Sequence, residues 1–354
     1  MISIEEKDQD LIGTNYFPPV KSDSNWSFRD YIGHDDIRYY SFARYALYEA
    51  LKLCDMKSGD EILLPGFICR EVLAAINTIG ATPRYYKITK DLQIQLSNNL
   101  PKAKVMIVVN YFGFSSNLDL IKEYCLKNNI IIIEDNSHGF LSRDINNKPL
   151  GTRTNIGIFS LRKSLPVVDG AALVVNDPQL KLKITRQIDT NYSIRSIVNQ
   201  YIKRIIKKFI PKKRYKLIYL LITIKQTVRY YLRGNFVINS SSQSEYYLPD
   251  VANPHIDLFR YMKTIFFTEE IKRRRLLYEF LLDYIGDDVE LIVKKLNPNI
   301  TPYVFPFRCK NIKKIRIKLK KISLNCYKWP ELPDDIYSSC PEYYKNVWMV
   351  PFLW

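Results

Sequence analysis

Three apolar runs constrain this chain more than any other feature: Glu61-Ile62-Leu63-Leu64-Pro65, Lys104-Val105-Met106-Ile107-Val108-Val109 and Ile130-Ile131-Ile132-Ile133-Glu134-Asp135. None of them alternates apolar with polar residues, so each reads as a strand covered on both faces. Helical patterns at residues 71–79 and 118–127 separate them, and another precedes them at residues 43–53. Strands that alternate with helices predict an α/β fold with a mostly parallel central sheet. At 354 residues, 47% of them apolar, the chain is long enough to bury that core and a smaller second one.

Ligands of such sheets gather beyond the carboxyl ends of the strands. Asn110 and Asp135 stand at two such ends. Asp135 follows four isoleucines and Glu134, so a carboxylate is delivered to the rim of an apolar sheet, where it either serves a ligand or caps the next helix. His138 lies three residues further on. Downstream, Phe159-Ser160-Leu161-Arg162-Lys163 leads into Val168-Asp169-Gly170-Ala171-Ala172-Leu173. A Ser-x-x-Lys run before an Asp-Gly turn and a small-residue strand is how many pyridoxal phosphate enzymes present their Schiff-base lysine.

The net charge of +17 suggests nucleic acid or an anionic surface until its distribution is considered. Residues 181–233 hold fifteen Lys or Arg against one acid, Asp189, a net +14 that leaves the rest of the chain close to neutral. A local excess of this kind argues against nucleic acid as the partner. Within it, Ile194, Val198, Tyr201, Ile202, Ile205 and Phe209 recur at helical spacing while Lys203, Arg204, Lys207 and Lys208 fall off the stripe, so an amphipathic basic helix is expected. Three uses of it stay open: contact with an anionic membrane face, contact with the diphosphate of a nucleotide-linked sugar, or a solvated insertion packed on the protein. The apolar run at 217–224 is too short to span a bilayer.

Residues 1–10 are rich in acids and lack a secretory pattern, and the six cysteines form no C-x-x-C pair or metal-ligand spacing. A cytoplasmic protein with reduced thiols and no metal is expected, peripheral to the inner membrane face if the basic segment binds there.

Five segments in register, Phe42-Ala43-Arg44-Tyr45-Ala46-Leu47, Gly59-Asp60-Glu61-Ile62-Leu63-Leu64-Pro65, Asn110-Tyr111-Phe112-Gly113, Glu134-Asp135-Asn136-Ser137-His138 and the stretch from Phe159 to Leu173, resemble the DegT/DnrJ/StrS-type sugar aminotransferases. Tyr303-Val304-Phe305-Pro306 and Tyr327-Lys328-Trp329-Pro330 add a weaker echo. The resemblance implies a fold-type I transferase that depends on pyridoxal 5′-phosphate, with a large cofactor-binding domain over residues 1–250, which includes the basic insertion, and a small α+β domain over 251–354.

It also implies roles. Lys163 would form the Schiff base and shuttle the proton, Asp135 would pair with the protonated pyridine nitrogen, and His138 would meet the cofactor's phenolic oxygen. Ala43 and Arg44 at a helix start, with Ser160, would hold the phosphate. Phe67 would stack on the ring, since Cys69 stands where the family often has a large aromatic. Phe42 and Ala43 replace a hydroxyl and a glycine, and Asp169-Gly170-Ala171-Ala172 stands for Gly-Glu-Gly-Gly.

The activity so implied moves an amino group from an amino acid, glutamate in the first instance, to a keto sugar, nucleotide-linked, for surface polysaccharide or glycoconjugate synthesis by a homodimer. Two alternatives remain: sugar dehydration, in which family members replace the lysine with His, and a basic membrane- or anion-binding descendant without activity. Beyond the insertion, residues 256–284 predict a long helix with Arg273, Arg274 and Arg275 exposed. Residues 310–321 predict a basic helix, and Val350-Pro351-Phe352 a last strand.

Overall fold

The computed structural model describes residues 27–33, 37–96, 100–165, 167, 169–181, 224, 242–262, 267–322 and 324–352. Apart from Lys181 and Ile224, the basic segment and its expected helix lie outside the described residues.

Eight strands form one sheet: β1 (Ile37–Tyr40), β2 (Glu61–Pro65), β3 (Thr82–Ile88), β4 (Ile94–Gln95), β5 (Val105–Val109), β6 (Ile131–Asp135), β7 (Ile156–Phe159) and β8 (Ala171–Val175). Their spatial order is β1-β8-β7-β6-β5-β2-β3-β4. Strands β3, β2, β5, β6 and β7 run parallel, whereas β8, β1 and β4 pair antiparallel with their neighbours. The three apolar runs are thus β2, β5 and β6 at the heart of the sheet. All five residues of β5 are buried, which is why that run carries no polar position.

A second, four-stranded antiparallel sheet has the order β11-β12-β10-β9, built from β9 (Glu290–Leu291), β10 (Val304–Arg308), β11 (Tyr327–Lys328) and β12 (Val347–Pro351). Helices Phe267–Ile285 and Ile312–Lys321 cover it, and Leu277, Leu281, Phe305, Phe307, Ile315, Leu319 and Val350 form its core. The expected basic helix and last strand are both present. Among the described residues no helix is long and apolar enough to cross a membrane.

Of the expected long helix after residue 256, the described residues hold Asp257–Met262 and Phe267–Ile285, and residues 263–266 lie outside the described residues. Leu258 and Met262 of the first pack with Phe28, Phe140 and Phe159 beside the large sheet. Arg273 and Arg274 are buried rather than exposed, Arg274 completely. Glu270, one turn earlier, meets Arg273 at 2.8 Å and Arg274 at 2.6 Å, and the two arginines donate further to the carbonyls of Phe352 and Ser164. Apolar periodicity cannot anticipate charges that are buried because they bring their partner with them.

Register positions the functional end of the large sheet. Val109 lies opposite Asp135, and Asp135 opposite Ile158, so three parallel strands finish level with one another. Helix Ala43–Leu53 packs Ala46, Leu47, Ala50 and Leu51 into the core, which fixes where its first turn meets those strand ends.

Candidate active site

A cavity of about 540 Å³ opens at the carboxyl ends of β5, β6 and β7. Ala43, Arg44, Asp135, His138, Ser160 and Lys163 all line it. These residues come from a helix start, two strand ends and two turns, and only the folded sheet assembles them.

Phe67 is not brought to the cavity wall. Its ring is buried in an aromatic cluster, with centroids 5.4 Å from Tyr111, 5.3 Å from Trp329 and 5.0 Å from Tyr344. The large apolar ring gains more from full burial than from a cavity edge, where part of it would stay wet. Trp329 and Tyr111 supply the aromatic wall instead.

Lys163 ends a single 3-10 turn, Leu161–Lys163, that leaves β7 at Ser160. Its N–H donates to the Ser160 carbonyl at 3.0 Å, and the Arg162 N–H donates to the Gly170 carbonyl at 3.0 Å. Gly170 in turn donates to the Ser41 carbonyl, next to the start of helix Ala43–Leu53. Only glycine suits this position, because φ is +141° and a Cβ would come within 2.7 Å of Leu258 Cδ1. The Asp-Gly turn that marks the motif is therefore the brace that ties the lysine's turn to the helix start.

Lys163 Nζ lies 2.9 Å from His138 Nε2. The N–H of Phe112 donates to His138 Nδ1 at 3.3 Å, so a neutral ring carries its proton on Nε2 and presents it to Lys163. Only an unprotonated amine accepts that hydrogen bond. The electrostatics agree: burial pushes Lys163 below the ordinary lysine range, with Arg162 adding to the effect and Cys69, Asp135 and Glu71 opposing it. Burial holds His138 well below the ordinary histidine value, so the ring is neutral.

The imidazole is fixed by aromatic neighbours. Tyr303 and Phe112 lie parallel to it at 4.8 and 5.8 Å, and Trp329 meets it at 5.2 Å and 64°. Tyr303 and Trp329 come from the C-terminal part of the chain, and the hydrogen bond from Tyr303 N–H to the Phe112 carbonyl at 2.8 Å docks the first of them here. Both stand inside the two weak echoes noted in the sequence, which carried no signal of a role.

Asp135 is half-buried on the cavity wall, and its Oδ1 accepts the Ser137 N–H at 2.9 Å. It thus braces a turn and faces the cavity, and among the described residues no helix directly follows β6 for it to cap. Ser160 is buried at the end of β7. Arg44 is half-buried, and among the described residues no acceptor meets its buried Nε.

The donor set fits pyridoxal 5′-phosphate. A neutral amine suits an aldehyde, a carboxylate suits a cationic ring nitrogen, and a guanidinium with an unused buried N–H beside a helix start suits a phosphate.

Comparison with known proteins agrees with this chemistry. The sequence model of the DegT/DnrJ/EryC1/StrS aminotransferase family matches residues 25–206. Protein MosB of Rhizobium meliloti is 32% identical over 148 residues, which cover 39% of this chain and 29% of MosB. The GDP-perosamine synthase of Escherichia coli O157:H7 is 28% identical over 145 residues, covering 38% and 39% of the two chains. The matched stretch thus spans well under half the length of these curated relatives. Among solved structures, the GDP-4-keto-6-deoxymannose-3-dehydratase ColD superposes with a TM-score of 0.63 at 19% identity, over 92% of this chain and 86% of that one. A family match that covers just over half of the sequence, on a fold shared with solved members, makes this chain a member of the DegT/DnrJ/EryC1/StrS aminotransferase family.

Proposed function

We propose that the chain is a pyridoxal 5′-phosphate-dependent aminotransferase that delivers an amino group from an amino acid, glutamate in the first instance, to a nucleotide-linked keto sugar. The observation that carries this reading is the 2.9 Å contact between Lys163 Nζ and His138 Nε2 inside a cavity that also holds Asp135. A basic binding protein without activity has no use for a lysine drawn into a cavity and set against an imidazole in this way.

When bound, the cofactor supplies the electron sink that lets an amino acid lose its α-proton. The protein's own residues would do the rest. Lys163 acts as the base that takes and returns a proton, which requires the neutral amine that burial favours. His138 donates from Nε2 and steers the amine. Asp135 would hold a cationic ring nitrogen, while Arg44 and the first turn of helix Ala43–Leu53 would face the phosphate. Trp329, Tyr303 and Tyr111 exclude water from the inner wall.

GDP-perosamine synthase and a UDP-N-acetyl-3-dehydro-glucosamine aminotransferase among the relatives support a nucleotide-linked sugar as the acceptor. A homodimer belongs to the same proposal. Arg162 is exposed although its neighbour Lys163 faces the interior, an opening that a second subunit would cover.

The purified protein should show a visible absorbance band with pyridoxal phosphate, and borohydride should fix the cofactor on the Lys163 peptide, as mass spectrometry reads it. Lys163→Ala should lose that adduct and slow amino transfer by about 10² to 10⁴-fold. An adduct retained by the variant would end the assignment.

A further inference from the structure

Phe42 leads into helix Ala43–Leu53 with an extended backbone (φ −138°, ψ 152°), and its side chain offers the helix no hydrogen bond. Its ring carries two guanidinium groups instead. Arg44 Cζ lies 5.3 Å from the ring centroid and Arg162 Cζ 5.2 Å. All three side chains line the cavity next to Lys163 and Ser160.

Two like charges on one ring repel each other. Burial presses Arg44 below the ordinary arginine value; the charge of Glu71 opposes this, and the charge of Arg162 adds a smaller push in the same direction as burial. Glu71 Oε2 is itself engaged by the Cys69 thiol at 3.0 Å. The buried Arg44 Nε has no acceptor among the described residues. Tyr45 and Ala46 donate back to the Phe42 carbonyl, which leaves the Ala43 and Arg44 N–H groups as the first-turn donors that a helix cannot satisfy itself. Surplus charge and surplus donors thus coincide on one side of the cavity. A planar guanidinium laid on an aromatic ring is also pre-oriented, so little freedom is lost when it takes an anion.

We propose that Arg44 and Arg162, both held on the Phe42 ring, form the grip for the cofactor's phosphate dianion, and that Arg162 takes over the work of the hydroxyl displaced by Phe42. The inference rests on the reading above that the cavity holds a phosphorylated aldehyde. A dianion with several oxygens matches two guanidinium forks better than a carboxylate does. Arg162 is also the immediate neighbour of Lys163, so one molecule can reach its aldehyde to the amine and its phosphate to the arginine together.

The test titrates wild type, Arg162→Gln, Arg162→Lys and Arg44→Lys with pyridoxal 5′-phosphate, pyridoxal, inorganic phosphate and UDP. Absorbance follows the two aldehydes and calorimetry the two anions. At a pH above the Lys163 midpoint of every variant, Arg162→Gln should weaken pyridoxal phosphate by about 10- to 100-fold, the factor one charge-assisted hydrogen bond commands, and leave pyridoxal unchanged. Arg162→Lys and Arg44→Lys should lose less, since they keep the charge without the fork, and inorganic phosphate should compete best in wild type and least in Arg162→Gln.

Equal weakening of pyridoxal and pyridoxal phosphate would overturn the proposal, because the arginines would then be shaping the cavity. Loss of UDP binding with pyridoxal phosphate unaffected would overturn it in favour of a substrate-phosphate role. The two readings fail separately. Unchanged pyridoxal phosphate affinity in Arg162→Gln removes the grip and spares the cofactor. A wild type that binds inorganic phosphate through Arg162 but forms no band with pyridoxal phosphate removes the cofactor and spares the anion site.

Discussion

Glu134 and Asp135 sit side by side on β6 and face opposite sides of the sheet, as successive strand residues must. Glu134 is fully buried, and Arg153 answers it at 2.6 Å. The same guanidinium also donates to Asn110, Ser115 and Ser116, and Asn110 in turn donates to Glu134 and Asn136. Asp135 accepts one backbone N–H at 2.9 Å and faces the cavity with the rest of its carboxylate. The arginines repeat the contrast, since every nitrogen of the Arg153 guanidinium has a partner while the Arg44 Nε has none among the described residues. On this strand the charge saturated by its neighbours lies in the core, and the one with fewer partners lies on the cavity wall. Lost stability and lost function should therefore separate across a single strand.

Arg153→Ala should break the structural side first, because it strands a buried carboxylate. The expected cost is about 3–5 kcal/mol of unfolding free energy, read from urea titration. A cost below about 1 kcal/mol would mean that water enters and replaces the arginine.

Asp135→Asn should do the reverse. Asparagine keeps an oxygen for the Ser137 N–H, so stability should stay within about 0.5 kcal/mol, while the rate of amino transfer falls on the order of 10²-fold as the ring nitrogen loses its counter-charge. Equal losses in both measurements would erase the distinction between the two faces.

A smaller effect should sharpen the cavity side. The rate at which the protein captures pyridoxal phosphate should rise with pH, because the neutral form of Lys163 accumulates as pH climbs through its value. Burial and Arg162 place that midpoint below the ordinary lysine range. Removing the charge with Arg162→Gln should move the midpoint upward, and stopped-flow absorbance across pH would measure it.

Much of this was legible in the residues themselves. The apolar runs became β2, β5 and β6, since a strand covered on both faces leaves no room for polar positions. The Asp-Gly turn and the lysine three residues after a serine marked the turn at 161–163, because local backbone geometry limits which residues can occupy it. The burial of Phe67 away from the cavity was not legible, since sequence shows an aromatic but not which neighbours will enclose it. The burial of Arg273 and Arg274 was likewise hidden, because it depends on Glu270 and on carbonyls at Ser164 and Phe352 far along the chain.

The sequence by itself determined the strand cores, the helix that begins at Ala43, and the presence of a lysine, a carboxylate and a histidine at the same end of a parallel sheet. Periodicity and turn chemistry are local, and local rules suffice for that much. Only the tertiary structure decided that His138 would reach Lys163, that Tyr303 and Trp329 would wall it in, and that Arg44 and Arg162 would meet on one aromatic ring. Those contacts join residues up to about 190 positions apart, such as His138 and Trp329, and long-range packing alone brings such residues within reach of one another.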